Sequence, residues 1–206
     1  MQVSEATTMD GRPAIRVHAS ARSTGLVAAL YRVEDFFDSD FHPATHCSYG
    51  LHKRIHEGRR QRDTRIRFDT ARNLSLLEER DPSNPEQPAK HDSNPIEPCT
   101  QDVVSAIYFL RQMPLEVGRT FEFPINDGGK TYRVYVEVQA REDVKTGLGM
   151  IPAYRIEAKI FEGLFRRKGR LFVWYSDDSR RLPIQMRAKI AWGTLTGTLA
   201  RIETKP

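Results

Sequence analysis

The feature that most constrains this chain is the alternation of apolar and polar residues with period two. Ile15, Val17 and Ala19 alternate with Arg16, His18 and Ser20. Thr64, Ile66 and Phe68 alternate with Arg65, Arg67 and Asp69. The pattern recurs at Tyr132, Val134, Val136 and Val138, and again at Ile184, Met186, Ala188 and Ile190. Successive side chains of a strand point to opposite faces, so each run predicts a strand with one buried and one solvated face. Turn residues separate the runs. Asn126-Asp127-Gly128-Gly129 is a hairpin signal between Phe121–Ile125 and Lys130–Gln139, and Gly147-Leu148-Gly149 and Ser176-Asp177-Asp178-Ser179 read as two more turns. Strands joined by short turns imply an antiparallel meander.

Two segments depart from this period. Asp102–Met113 has apolar residues at Val103, Ala106, Ile107 and Leu110, which is helical spacing; Thr100 is the expected N-cap and Pro114 the stop. Thr24–Arg32 is a shorter helical pattern. Asp81–Thr100 holds five of the twelve prolines and almost no apolar residues. Such a stretch cannot bury itself and predicts a mobile loop over about 81–100. A sheet of many strands must curl, close or be covered on its apolar face. The expected fold is therefore mainly β: one domain over 1–206, an antiparallel half-open β-barrel with one main lid helix and one short helix.

Composition narrows the function classes. The 206 residues carry 32 Lys+Arg and 27 Asp+Glu, a formal net charge of +5, which is short of a nucleic-acid-binding arm. No apolar run approaches the ~18–20 residues of a transmembrane helix. Two cysteines, Cys47 and Cys99, exclude a disulfide-rich mini-domain and a four-Cys zinc site, and their spacing leaves one bridge open. The first ten residues lack the apolar segment of a secretory signal, while Gln2–Thr7 is already strand-like; the expectation is that a leader and a first strand are missing.

Few residue groups point to chemistry. His52 and His56 could share a metal on a helix, but Tyr49–Glu57 alternates as a strand, which puts them about 13 Å apart. Lys53–Arg72 contains eight Lys/Arg and three acids, and Arg166–Arg170 is a second basic cluster. These read as solvated sheet faces or as contacts for lipid headgroups or a partner. No Gly-x-Ser-x-Gly elbow or Gly-rich phosphate loop occurs. No catalytic residue, metal ligand or cofactor is expected.

A resemblance adds to this reading. Cys99-Thr100-Gln101-Asp102-Val103-Val104-Ser105-Ala106-Ile107-Tyr108-Phe109-Leu110-Arg111, followed by Pro114-Leu115-Glu116-Val117-Gly118, resembles the bacterial domain-of-unknown-function family numbered 3108. So do Gly11–Ala14, Ala21–Leu26, Leu30–Val33, Asp35–Ser39 and the stretch from Gly163 through Trp174 and Asp177-Asp178 to Pro183. The resemblance implies an exported protein of the periplasm or cell envelope, with a fold similar to the lipoprotein carriers LolA and LolB. It brings no established activity and no catalytic residue.

The resulting expectation is non-catalytic binding or carriage of an apolar or amphiphilic ligand, such as a lipid or a lipoprotein acyl chain. Val134, Val136, Ile156, Val173 and Met186 would line the cavity, with Val104, Ile107 and Tyr108 from the lid. The alternative is a filled β scaffold that docks an envelope protein partner through its basic face. A metal- or Cys-dependent enzyme is third. No nucleic acid and no transmembrane segment are expected.

Overall fold

The computed structural model describes residues 2–23, 32–160, 170–190 and 193–203. Seven strands, β1 (Gln2–Met9), β2 (Arg12–Arg22), β3 (Glu34–Phe41), β4 (Ser48–Glu57), β5 (Arg60–Asp69), β6 (Leu74–Arg80) and β7 (Lys90–Pro95), form one antiparallel meander in chain order. A short helix, α1 (Ser105–Leu110), follows. The remaining strands, β8 (Thr120–Asp127), β9 (Lys130–Thr146), β10 (Gly149–Ile160), β11 (Arg170–Ser176), β12 (Pro183–Ile190) and β13 (Gly193–Thr198), form a second sheet, again with chain neighbours adjacent.

The chain packs as two compact units. The first comprises Met1–Phe109 with the hairpin tip Pro124–Thr131, and the second Leu110–Phe123 with Tyr132–Pro206. In the first, alternation gives the core directly: Val17, Leu51, Ile66, Phe68 and Leu77 are buried, while Arg65 and Arg67 between them are exposed. The tip is tied into this unit by Lys53 Nζ, 2.6 Å from Asp127 Oδ1, and by Asn126, whose Nδ2 donates to Ser75 Oγ and Thr131 Oγ1. In the second unit Val144, Ala153, Phe172, Trp174 and Ile184 form a cluster backed by Ile151, Leu182 and Leu199.

The expected turns at Gly128-Gly129, Gly147–Gly149 and Ser176–Ser179 all lie between paired strands. Four expectations are corrected. Where a half-open barrel was expected, the described strands make two antiparallel sheets, one of seven strands and one of six. The expected lid helix over Asp102–Met113 is only six residues long, about 9 Å at 1.5 Å per residue, too short for a lid. Its cap is Asp102, not Thr100, whose hydroxyl donates instead to the Glu97 carbonyl. The segment expected as a loop over 81–100 contains β7, an exposed strand formed by backbone pairing to β6 without an apolar pattern of its own. The expected helix over Thr24–Arg32 lies almost wholly outside the described residues, as does most of the Arg166–Arg170 cluster.

Candidate functional site: a polar trough on the seven-stranded sheet

Register brings distant polar residues into rows on the solvent face of the first sheet. One row runs His18, Asp38, His52, Arg65, Glu78, His91 across β2 to β7, each residue paired with the next. The row beside it runs Arg16, Asp40, Gly50, Arg67, Leu76. Gly50 has no side chain, so it leaves a gap between Asp40 and Arg67. The gap is structural: Gly50 has φ +154°, and a Cβ there would stand 2.2 Å from the Ile66 carbonyl oxygen. A recess of about 540 Å³ opens over it, its polar lining Arg16, Asp38, Asp40, His52, Arg65, Arg67, Glu78 and His91, its apolar lining Met9, Leu51, Ile66, Leu76 and Leu77. A second recess of about 460 Å³ shares Arg65 and Glu78 and runs on to Arg80, Pro82, Pro85 and Gln87.

The charges of the first recess fall into two groups. Arg16 is committed to Asp40 by two hydrogen bonds, Nε at 2.7 Å and a terminal nitrogen at 2.9 Å. This bidentate geometry is the strong form of an Arg–carboxylate pair, and it holds the Arg16 guanidinium above its usual pKa. Asp38 is held by His18 Nδ1 at 2.5 Å and by Arg54 at 3.1 Å. The β5 side is looser. Arg65 lies 3.9 Å from Asp63 and Arg67 lies 4.0 Å from Asp10, and both side chains are more than half exposed. Such long, solvated pairs contribute little and can be exchanged for a better anion. His52 is oriented by Asp63, with Nε2 2.9 Å from the carboxylate.

The buried face fixes this arrangement through Asp102. Its carboxylate is fully buried. Oδ1 accepts from the amides of Val104 and Ser105 at 2.7 and 3.0 Å, which caps α1. The Asp102 amide donates back to Ser105 Oγ at 2.9 Å, completing a reciprocal box. Oδ2 accepts from Ser39 Oγ on β3 at 2.7 Å and Ser48 Oγ on β4 at 2.6 Å. Burial pushes this carboxyl above its usual range, against the pull of the four hydrogen bonds. Ser48 Oγ also accepts from the Gly50 amide at 3.0 Å. Beside it, a disulfide joins Cys47, just before β4, to Cys99, just before the cap.

The eight residues expected to line an apolar cavity are divided between the units. Val104, Ile107 and Tyr108 are buried in the first; Val134, Val136, Ile156 and Val173 are buried in the second, where Met186 is half-buried. None of them lines the trough. His52 and His56 both lie on β4, as the alternation implied, and among the described residues no three metal-ligating side chains come together. The basic run Lys53–Arg72 is interleaved with acids from elsewhere in the unit: Arg54 with Asp38, Arg62 with Glu79 and Asp81, Lys53 with Asp127. The trough was missed because each strand's polar face reads alone as solvated; the signal was a lone glycine inside an otherwise alternating strand.

The model of DUF3108, a protein family of unknown function, matches residues 1–200. The chain belongs to the DUF3108 family. No curated protein matches this DUF3108 chain. Among solved structures it is similar to a β-barrel-like protein of the unknown-function family DUF1849 from Brucella abortus, at 7% identity and a TM-score of 0.59, over 91% of this chain and 80% of that one. At that identity the likeness speaks for the fold alone.

Proposed function

We propose that this DUF3108 protein is a non-catalytic binding protein that takes an anionic group, phosphate or carboxylate, on a polar body into the trough of its seven-stranded sheet. The gap at Gly50, flanked by the loosely paired Arg65 and Arg67, carries the reading. Guanidinium forks match phosphate and carboxylate oxygens in pairs. His52 and His91 add donors, and Asp40 and Glu78 can accept from hydroxyl or ammonium groups of the same ligand. A polar ligand suits this site through Arg65, Arg67, His52 and His91, while Met9, Leu51, Leu76 and Leu77 in the same lining leave room for an apolar part of it. An amphiphile would enter this reading through its headgroup.

The Cys47–Cys99 bridge supports an oxidising compartment, since such bonds persist outside the cytosol. Localisation in the cell envelope and a fold likeness to the lipoprotein carriers LolA and LolB belong to the same proposal. With both cysteines joined, neither offers a thiolate, which disfavours a Cys-dependent enzyme.

Isothermal titration with glycerol 3-phosphate tests the proposal. Saturable binding is expected, weakened roughly tenfold or more in Arg65→Ala/Arg67→Ala. Absence of binding to the natural chain, or equal binding by the variant, contradicts it.

A further inference from the structure

Each sheet ends on two edge strands, β1 and β7 in the first and β8 and β13 in the second. An edge presents unpaired amides and carbonyls, and charges or prolines on it discourage pairing with another chain. Three of these strands carry such residues. β1 contains Glu5, β7 contains Lys90, Asp92 and Pro95, and β8 contains Glu122, Pro124 and Asp127. β13 reads Gly-Thr-Leu-Thr-Gly-Thr, with neither charge nor proline.

The outer edge of β13 is open. Its register to β12 is unbroken from Gln185↔Thr198 to Ile190↔Gly193, and the Leu199 amide continues it by donating to the Ile184 carbonyl at 2.7 Å. In an antiparallel pair the backbone groups of alternate residues point the same way. Gly193, Leu195 and Gly197 therefore bond inward to β12, while Thr194, Thr196 and Thr198 turn their amides and carbonyls outward. These three threonines are exposed, and among the described residues none of their backbone groups bonds to another segment. A Cβ on Gly197 would meet nothing within 4 Å. On the threonine face β12 places Gln185, Arg187 and Lys189 opposite Thr198, Thr196 and Thr194. The Arg187 guanidinium lies over the Trp174 ring of its own sheet, 5.2 Å from the centroid.

We infer that β13 pairs antiparallel with β13 of a second copy of this chain. A two-fold axis at Thr196 sets Thr196 opposite Thr196 of the second copy and Thr194 opposite Thr198. Every outward residue then meets an outward residue, and each pair exchanges both backbone hydrogen bonds. Threonine beside threonine is a favourable cross-strand pair, and no charge on the strand faces its own copy across the axis. The two Arg187 side chains belong to strands three spacings apart, about 14 Å, beyond the ~8 Å screening length. A foreign strand would make the same backbone bonds, but its selection needs side-chain pockets beside the edge. This edge offers exposed hydroxyls and a glycine in open space instead. Self-pairing needs no pockets, because the axis makes the strand its own complement. With the other edges guarded, pairing stops at two copies. One strand pair buries less than a standard interface, so the dimer is weak.

Sedimentation equilibrium of the full chain, from micromolar concentration to about 1 mM, tests this. A concentration-dependent monomer–dimer equilibrium is expected. Thr196→Pro removes an amide that faces away from β12, so it spares the fold and should raise the dimer dissociation constant roughly tenfold or more. Thr196→Lys and Thr196→Glu should each dimerise several-fold more weakly. An equal mixture of those two variants should recover the dimer, because opposite charges then meet across the axis. Circular dichroism should show all three variants folded. A dimer that folded Thr196→Pro leaves intact overturns the inference, and so does a mixture that recovers nothing. A natural chain that stays monomeric at about 1 mM also overturns it and leaves the edge to a foreign strand.

Discussion

Asp102 and Gly50 are joined through a single hydroxyl: Ser48 Oγ donates to the Asp102 carboxylate at 2.6 Å and accepts from the Gly50 amide at 3.0 Å. The cap of α1, the buried edges of β3 and β4, and the floor of the trough thus share one hydrogen-bonded chain. Removing the carboxylate should be felt on the opposite face of the sheet.

Asp102→Ala leaves two serine hydroxyls and two helix amides without their acceptor. A loss of about 3 kcal/mol is expected, combining an N-cap loss with unsatisfied buried donors. Urea denaturation measures it, and the Gly50 amide resonance should shift in the same variant. Asp102→Asn keeps the cap through Oδ1 but turns an amide donor toward the Ser39 and Ser48 hydroxyls, which must rotate to accept, and should cost less than the alanine.

The same carboxyl has a pH signature. Its folded pKa is raised, so the folded chain binds this proton more tightly than the unfolded chain. The ionised form therefore carries a penalty at neutral pH, which disappears as pH falls through the folded pKa. Between that value and the ordinary aspartate range, Asp102→Asn should flatten the rise in stability that the natural chain gains on acidification. Thermal melts across that window check the sign.

Glu157 behaves oppositely. It is buried, and Arg170 Nε at 2.6 Å holds its pKa below the usual range, with Gln139 also donating. A lowered folded pKa contributes stability above the unfolded value and loses it as pH falls through the folded one. Arg170→Met should destabilise the fold modestly at neutral pH, since Arg170 is half exposed and its partner Glu157 is buried. The difference should shrink toward acid pH in paired denaturation curves.

Gly50→Ala would force a Cβ against the Ile66 carbonyl at a φ that side chains rarely adopt. A cost of about 2–3 kcal/mol is expected, together with loss of trough binding. Unchanged stability would mean that β4 and β5 can separate there without penalty.

Reducing the Cys47–Cys99 bridge opens a loop with a sequence separation of 52. Chain entropy alone assigns about 4 kcal/mol to such a closure. Melting with and without reductant, alongside Cys47→Ser/Cys99→Ser, should show a lower midpoint in both cases.

Much of the fold was legible because alternation encodes a strand and its buried face together: Thr64, Ile66 and Phe68 are buried and Arg65 and Arg67 exposed as that rule requires. The helix was overread because apolar spacing continues on both sides of it, whereas its start is set by a buried aspartate whose serine partners lie 54 and 63 residues away. Strand β7 was illegible because Lys90–Pro95 has no apolar face; pairing with β6 makes it a strand. The trough needed register. Nothing in the neighbourhood of Arg16, Gly50 or His91 along the chain says that β2, β4 and β7 align them.

The most direct measurement is an amide-resolved NMR titration of the natural chain with glycerol 3-phosphate. Saturable shifts concentrated at Gly50, His52, Arg65, Arg67 and His91 are expected. Shifts that do not saturate, or that fall on the second sheet and leave Gly50 unmoved, would contradict binding in the trough.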